Sequence, residues 1–249
     1  MRTPTRVDKE VAKRDRYAEL MGDNIIGTYL SEDAFLSSEK NESTGDKLRR
    51  FVHSQERIQN PRLLGSGIHG VVCLATIKDT PYVLKVFYKW KQPGPRFYSY
   101  EDAIYITPLA YESQAFARLD SSNQNGNWAI RCYGWMKLSD TQFNMINDIV
   151  TTSGLSSHDL SRWVIVKEYG PIPTNASHVP EILENFVIPK ELKILPQDLR
   201  PENFRGSKMV DLSCALTYPC PGWSEYEFKF FYTDTIRGVL DWFKSQPGG

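Results

Sequence analysis

A glycine-rich stretch and two distant clusters of polar residues constrain the fold of this chain most strongly. The stretch Gly65-Ser66-Gly67-Ile68-His69-Gly70 lies between two strand-like runs of β-branched residues. Glycines there let backbone N–H groups approach phosphate oxygens. Because a strand and not a helix follows Gly70, the pattern favours a flap over a ligand and disfavours a dinucleotide-binding turn. A plain hairpin turn is the alternative interpretation.

The first polar cluster contains a lysine within an apolar strand. Lys85 stands in the run Tyr82-Val83-Leu84-Lys85-Val86-Phe87. A buried ammonium without a partner is costly, so the position predicts an acidic partner. Glu112, on the helix that follows, is the best candidate. The alternative is a lysine at a strand edge whose ammonium reaches water.

The second polar cluster lies near the other end of the chain. It comprises Asp198-Leu199-Arg200-Pro201-Glu202-Asn203, followed by Asp211 after Met209-Val210. This spacing is typical of a loop whose aspartate accepts a hydroxyl proton and whose asparagine binds a metal ion. Carboxylate and amide oxygens suit Mg²⁺, so Asn203 and Asp211 are candidate metal ligands. The alternative is that both aspartates cap loops.

In this order the pieces resemble the nucleotide site of kinase-fold proteins, with Lys85 and Glu112 at the positions of the lysine–glutamate pair that orients phosphates. The resemblance implies a two-lobed α+β fold, with a small antiparallel sheet plus one helix and a reduced, mostly helical second lobe. The predicted division is a helical extension and linker over 1–60, a first lobe over 61–168 and a second lobe over 169–249. Glu168-Tyr169-Gly170-Pro171 predicts the hinge between the lobes.

Hydrophobic periodicity and turn residues also predict the individual elements. The predicted helices are 1–22, 107–119, 181–195 with an interruption at Pro189, and 225–243. The predicted strands include 129–138 and 163–167, and the predicted loops are 31–46, 120–127 and 148–161.

Composition excludes some classes of protein. The formal net charge is zero, which argues against a globally basic nucleic-acid binder. Two local basic stretches remain candidates, 47–50 and the aromatic-rich 89–100, with ordinary solvated loops as the alternative. The four cysteines are scattered and the first residues lack an apolar leader segment. We therefore expect reduced thiols and a cytoplasmic protein.

The chain departs from protein kinases around the second cluster. Pro196-Gln197 precede Asp198, and Leu212-Ser213 follow Asp211 where Phe-Gly is usual. No Ala-Pro-Glu follows, and the sequence as given ends 38 residues after Asp211. We therefore expect no platform for a protein substrate, and a small or unusual acceptor if phosphate is transferred.

The tail Asp198-Leu-Arg-Pro-Glu-Asn-Phe-Arg-Gly-Ser-Lys-Met-Val-Asp-Leu-Ser resembles one fungal branch of the kinase fold, commonly described as kinetochore-subunit-like. Some small proteins similar to this branch are arginine-containing cyclodipeptide synthases. The resemblance implies an aminoacyltransferase that joins arginine to a second amino acid as a diketopiperazine. Its partners would be arginyl-tRNA and a second charged tRNA, and it would need no cofactor.

Under the synthase hypothesis each site residue has an expected role. Asp198 is the general base for the attacking amine, and Asp211 and Glu112 are candidate partners of a substrate guanidinium. Lys85 or the flap amides would stabilise the developing oxyanion. Substrate-binding positions are expected at Gly65, Ser66, Gly67, Gly70, Arg200, Asn203 and Asp211.

Some candidates for other chemistry are weaker. Ser66 or Ser213 is a candidate for an acyl-enzyme, although no activating base stands beside either in the sequence. His53, His69, His158 and His178 lack the spacing of a metal site or a catalytic triad, so they are expected on surfaces or loops.

Two other functions stay open. The retained Lys85, Glu112, Asp198, Asn203 and Asp211 suit an ATP- and Mg²⁺-dependent phosphotransferase that acts on a small molecule. A non-catalytic kinase-fold adaptor of the kinetochore type is the third hypothesis. The five polar residues weigh against it, because an adaptor has no need of them.

Overall fold

A seven-stranded mixed sheet dominates the computed structural model, which describes residues 20–35, 47–90, 99–155 and 159–236. Its spatial order is β1-β2-β6-β7-β5-β4-β3. The strands are β1 (Leu30–Ala34), β2 (Leu48–Arg50), β3 (Gln59–Ser66), β4 (Gly70–Ile77), β5 (Thr80–Tyr88), β6 (Cys132–Lys137) and β7 (Leu160–Glu168).

The strand pairing is antiparallel from β3 through β4, β5 and β7 to β6. The pairs β1–β2 and β2–β6 are parallel. In the centre of the sheet Lys85 on β5 lies opposite Val72 on β4 and Ile165 on β7. The side chain of Lys85 therefore leaves a central strand, where both neighbours are hydrogen-bonded.

Six α-helices are found in the described part of the chain. They are α1 (Tyr100–Ala103), α2 (Pro108–Ser121), α3 (Asp140–Thr152), α4 (Val179–Asn185), α5 (Val187–Glu191) and α6 (Glu225–Phe230). A π-helical turn, Phe231–Thr235, continues directly from α6. None of the described helices is long and apolar enough to cross a membrane.

Helix α2 carries the buried acid of the site. Thr107 caps it by accepting a hydrogen bond from the backbone N–H of Ala110, and Pro108 occupies the first turn, where its missing N–H costs nothing. Ten of its fourteen residues are buried. Glu112 therefore has no access to water and must pair within the protein.

Two short strand pairs and the turns between them complete the C-terminal region. The strands are β8 (Ile194–Leu195), β9 (Phe204–Arg205), β10 (Lys208–Met209) and β11 (Leu216–Thr217), paired β8 with β11 and β9 with β10. Met209 exchanges backbone hydrogen bonds with Trp128 and Ile130. These bonds place the residues after β10 beside the sheet, where Asp211 can reach Lys85.

Two apolar clusters hold these layers together. One contains Phe116, Trp128 and Phe204, and joins α2 to the C-terminal region. The other contains Val71, Leu84 and Val166, and joins the central strands to α3. Burial of this apolar surface supplies the main favourable term for folding.

The prediction of an α+β protein is confirmed, and the helix predicted over 107–119 is present as α2. The strands predicted over 129–138 and 163–167 are present as β6 and β7. The kinase-like arrangement into two lobes and the division into three segments stay predictions.

Several local predictions are wrong. The sheet is larger than expected and partly parallel, because β1 and β2 from the expected extension and linker join its edge. The loop predicted over 148–161 contains the end of α3 and the start of β7. The 181–195 helix is two short helices with Pro189 inside the second, and Ile194–Leu195 is a strand. The predicted 225–243 helix is present over Glu225–Thr235 as α6 and the π-helical turn, and residues 237–243 lie outside the described residues. Most of the predicted 1–22 helix and most of the 89–100 basic stretch also lie outside them.

Candidate functional site

A cleft of about 680 Å³ opens between the glycine-rich flap and the C-terminal turns. Its walls come from the flap, the central strands, the 168–171 segment and the two loops around Asp198 and Asp211. The predicted site residues that line it are Gly65, Ser66, Gly67, Gly70, Lys85, Asp198, Arg200, Asn203 and Asp211. Glu112 does not line the cleft and lies directly behind Lys85.

The three glycines of the flap have different roles. The flap turn is closed by the Gly67 N–H, which donates to the Gly70 carbonyl at 2.9 Å. A Cβ added at Gly65 or Gly67 would meet nothing within 4 Å, so both leave room over the cleft. At Gly70 a Cβ would lie 2.2 Å from the Val86 carbonyl oxygen. Gly70 is therefore needed for close packing of β4 against β5.

Lys85 forms the predicted ion pair with Glu112 and a second ion pair with Asp211 at the floor of the cleft. Its Nζ lies 2.7 Å from Glu112 Oε2 and 2.6 Å from Asp211 Oδ1. Burial alone would lower the pKa of Lys85, but the two carboxylates outweigh it and raise that pKa. Lys85 therefore remains an ammonium at the base of the cleft.

Lys167 is a site residue that was not predicted from the sequence. Its Nζ lies 2.6 Å from Glu112 Oε1 and donates to the Val210 carbonyl at 2.7 Å. Both Glu112 oxygens are thus paired with buried lysines on neighbouring strands, and Lys167 itself lines the cleft. The bond to Val210 also fixes the residue that precedes Asp211.

Asp211 is held by the turn that follows it as well as by Lys85. The Ser213 hydroxyl donates to Asp211 Oδ1 at 2.6 Å and the Ser213 N–H donates to the same oxygen at 2.9 Å. Burial would raise the pKa of Asp211, but Lys85, Lys167 and the Ser213 bond hold it well below its usual value. Asp211 is therefore ionised at neutral pH.

Asp198 forms a bidentate ion pair with Arg200, two residues later in the chain. Arg200 Nε donates to Asp198 Oδ1 at 2.7 Å, and Arg200 Nη2 donates to Oδ2 at 2.8 Å. The bonds from Arg200 are the main cause of the lowered pKa of Asp198. Asn203 Nδ2 fixes the loop by donating to the Asp198 carbonyl at 3.0 Å. In this conformation both carboxylate oxygens of the predicted general base are occupied.

His69 lies in the loop between β3 and β4, as predicted, and joins the flap to the opposite wall of the cleft. Its Nδ1 lies 2.8 Å from Ser213 Oγ, across 144 positions of sequence. Burial and the nearby Lys85 charge lower the pKa of His69. The imidazole is therefore neutral at pH 7. Because the Ser213 hydroxyl donates to Asp211, its oxygen accepts from the His69 Nδ1–H, which leaves Nε2 as the unprotonated nitrogen.

The metal-ligand prediction can be tested against the donor set. The described residues contain no group of three or more His, Cys, Asp or Glu side chains that could hold a metal ion. Asn203 and Asp211 nevertheless line one cleft, and oxygen ligands from two side chains suit Mg²⁺ when phosphate and water supply the rest. The two residues thus fit an ion that arrives with a phosphate ligand.

A family model for the kinetochore Sim4 complex subunit FTA2 matches residues 36–216. This match spans more than half of the chain. The chain belongs to the FTA2 family. All the cleft residues of this FTA2-family chain lie inside the matched range. No curated protein matches the chain.

The four cysteines of this FTA2-family chain are free, as expected. Ile68, at the tip of the flap, is 84% exposed, which leaves an apolar side chain at the mouth of the cleft. Glu168, Glu202 and Arg205 also line the cleft and were not predicted. The catalytic and binding roles assigned to individual residues stay predictions.

Proposed function

We propose that this FTA2-family chain is an aminoacyltransferase that joins arginine to a second amino acid as a cyclic dipeptide, using charged tRNAs. The observation that carries an enzymatic function is the buried network of Lys85, Glu112, Lys167 and Asp211 beneath an open cleft. A buried ion pair contributes little net free energy to folding, because the cost of desolvating the two charges offsets their attraction. Such a network is costly for a chain that needs only a packed core, and it gives a ligand preorganised charge. The arginine and tRNA parts of the proposal rest on the sequence resemblance.

The proposed chemistry needs positioning more than activation, because an aminoacyl ester is already activated. The amine of one aminoacyl group attacks the ester carbonyl of the other, and the ester C–O bond breaks. The released tRNA oxygen takes up a proton, and a second attack by the free amine closes the ring. Two peptide bonds form and two ester bonds break, so no oxidant or nucleotide is consumed.

The cleft residues have distinct roles in this reaction. The Lys85 ammonium stabilises the negative charge that develops on the carbonyl oxygen. The neutral imidazole of His69 accepts the proton from the attacking amine. Asp198 was the predicted base, but Arg200 occupies both its oxygens, so we assign proton transfer to His69.

Product detection tests this proposal. The protein is incubated with arginyl-tRNA and each other charged tRNA in turn, and cyclic dipeptides are detected by mass spectrometry. We expect one arginine-containing product above background. The absence of any cyclic dipeptide with every partner would overturn the proposal.

The family match favours a second candidate function. The family is that of a kinetochore complex subunit, which suggests protein partners and a nuclear site of action in place of the expected cytoplasmic one. Under this hypothesis the chain is a non-catalytic adaptor. A Lys85→Met variant that folds and still binds Sim4 complex subunits like the wild type, together with no cyclic dipeptide, would favour this function.

The Lys85–Glu112 pair and Asp211 also favour a phosphotransferase, with Mg²⁺ held by Asn203 and Asp211 and ATP as donor. A thermal-shift titration with MgATP separates this hypothesis from the others. Ligand at 100 times its Kd adds about 2.7 kcal/mol to stability. An unchanged Tm in about 1 mM MgATP would exclude binding in the Kd range of about 10 μM.

A further inference from the structure

The cleft already contains a guanidinium group bound by a carboxylate. Arg200 Nε and Nη2 face the two oxygens of Asp198 at 2.7 and 2.8 Å. Two parallel N–H···O bonds of this kind are the strongest way for a carboxylate to recognise a guanidinium. The pair therefore displays a complete guanidinium-binding geometry on the cleft wall.

The other two acids predicted to bind a substrate guanidinium are already engaged. Glu112 is fully buried, and its two oxygens pair with Lys85 and Lys167. Asp211 Oδ1 accepts from Lys85 and from both donors of Ser213. The predicted role for Glu112 is therefore not supported by its geometry. Asp198 is the acid that presents both oxygens in one plane to a forked donor.

The two partners of the Asp198–Arg200 pair are held very differently. The Arg200 side chain is 68% exposed, whereas that of Asp198 is 30% exposed. The backbone of Asp198 is fixed by the buried Asn203. Rotation of Arg200 into water would leave a fixed, ionised carboxylate facing the cleft. Glu202 lines the same cleft and adds negative charge near it.

We infer that Asp198 is the receptor for the guanidinium of a ligand, and that Arg200 is a built-in competitor which occupies this receptor when the ligand is absent. This inference rests on the proposed function, because it takes the arginyl group as that ligand. A ligand guanidinium binds by replacing Arg200 and reproducing its two bonds. Asp198 thus determines specificity for a guanidinium, and competition from Arg200 lowers the affinity of Asp198 for the ligand.

The test uses the arginine methyl ester as the probe, with citrulline methyl ester as the uncharged analogue of similar shape. Isothermal titration compares the wild type with Arg200→Ala, Asp198→Asn and the control Arg50→Ala. Arg50 forms a comparable exposed pair with Glu32 at 3.1 Å and does not line the cleft. Thermal unfolding of each variant verifies that it is folded.

We expect Arg200→Ala to bind the arginine ester about two- to fivefold more tightly, because an exposed ion pair no longer competes. Asp198→Asn should lose the preference for the arginine ester over the citrulline ester, and Arg50→Ala should bind like the wild type. Equal or weaker binding by Arg200→Ala would overturn the inference, as would an unchanged arginine preference in folded Asp198→Asn.

Failure of the Arg200 inference can be distinguished from failure of the proposed function. Cyclic dipeptide formed by the wild type, combined with no affinity gain in Arg200→Ala, overturns the Arg200 inference alone. The expected binding pattern without product from any charged tRNA overturns the synthase proposal and leaves the guanidinium receptor in place.

Discussion

Lys167 Nζ lies 2.6 Å from Glu112 Oε1, whereas Lys85 binds the other oxygen of the same carboxylate, Oε2. One buried carboxylate therefore holds two ammonium groups beneath the flap. Asp211 supplies the second negative charge at the cleft floor. The four side chains form one electrostatic unit, so removal of the central carboxylate affects both lysines.

Replacement of Glu112 by Gln should destabilise the protein strongly. Both buried ammonium groups lose their shared counter-charge, and breaking one buried pair costs about 3–5 kcal/mol. Urea unfolding measures the change. Asp23→Asn is the matched control, because the exposed Asp23–Lys137 pair should contribute less than about 1 kcal/mol. Similar losses for the two variants would contradict the account of the network.

Replacement of Gly70 by Ala should destabilise the sheet, whereas the same change at Gly67 should not. The new Cβ at position 70 would lie 2.2 Å from the Val86 carbonyl oxygen and would push β4 from β5. Overpacking of this kind costs about 1–3 kcal/mol. At Gly67 the space is open, so the change should stay within about 0.5 kcal/mol. Equal unfolding midpoints for the two variants would refute the distinction.

The strand around Lys85 and the ion pair between Lys85 and Glu112 could be predicted from the sequence. The strand follows from local hydrophobic patterning, and the ion pair follows from the cost of burying an unpaired charge. The apolar run around Lys85 requires a buried strand, and a buried ammonium requires an acid. Glu112 lies on the next amphipathic helix, so the pair could be predicted. The spacing of Asp198 and Asn203 likewise predicted that both belong to the site, and both line the cleft.

Most of the missed features depend on tertiary geometry that leaves no signal in the sequence, and Lys167 is the exception. Lys167 lies in an apolar strand run like that of Lys85, and the same burial argument applied to 163–167 would have flagged it. The contact between His69 and Ser213 spans 144 positions and depends on how the flap bends. The strands β1 and β2 are short and largely polar, and they are defined only by the pairing of β1 with β2 and of β2 with β6.

The stability of the protein should fall in mild acid partly because of His69. Its pKa in the folded chain lies below the ordinary 6.5, so below about pH 6.5 the unfolded chain binds more protons. Stability is therefore lost as pH falls from 6.5 towards the folded pKa, and this contribution is constant below it. His69→Gln should show a shallower loss when unfolding is measured between about pH 7.5 and about pH 5.5.

The control for this pH experiment is His53→Gln, because His53 does not line the cleft. It shows what loss of a histidine does outside the site. A His69→Gln curve that runs parallel to the wild-type curve across this range would show that the imidazole titrates normally. That result would also remove the basis for its assignment as a neutral base.

The Lys85 ammonium is the group through which the cleft would act on an aminoacyl ester, so its removal tests the central claim. Lys85→Met preserves much of the side-chain length and removes the charge. Lys78→Met is the matched control, since its pair with Glu56 is exposed and does not line the cleft. Circular dichroism and urea unfolding establish that both variants are folded.

The decisive measurement is the rate of cyclic-dipeptide formation from arginyl-tRNA and a second charged tRNA by the wild type and these two variants. We expect an arginine-containing product from the wild type and from Lys78→Met. For folded Lys85→Met we expect a rate lower by about 100-fold or more, the usual loss when one oxyanion-stabilising group is removed. No product from any tRNA pair, or an undiminished rate for Lys85→Met, would contradict the synthase proposal.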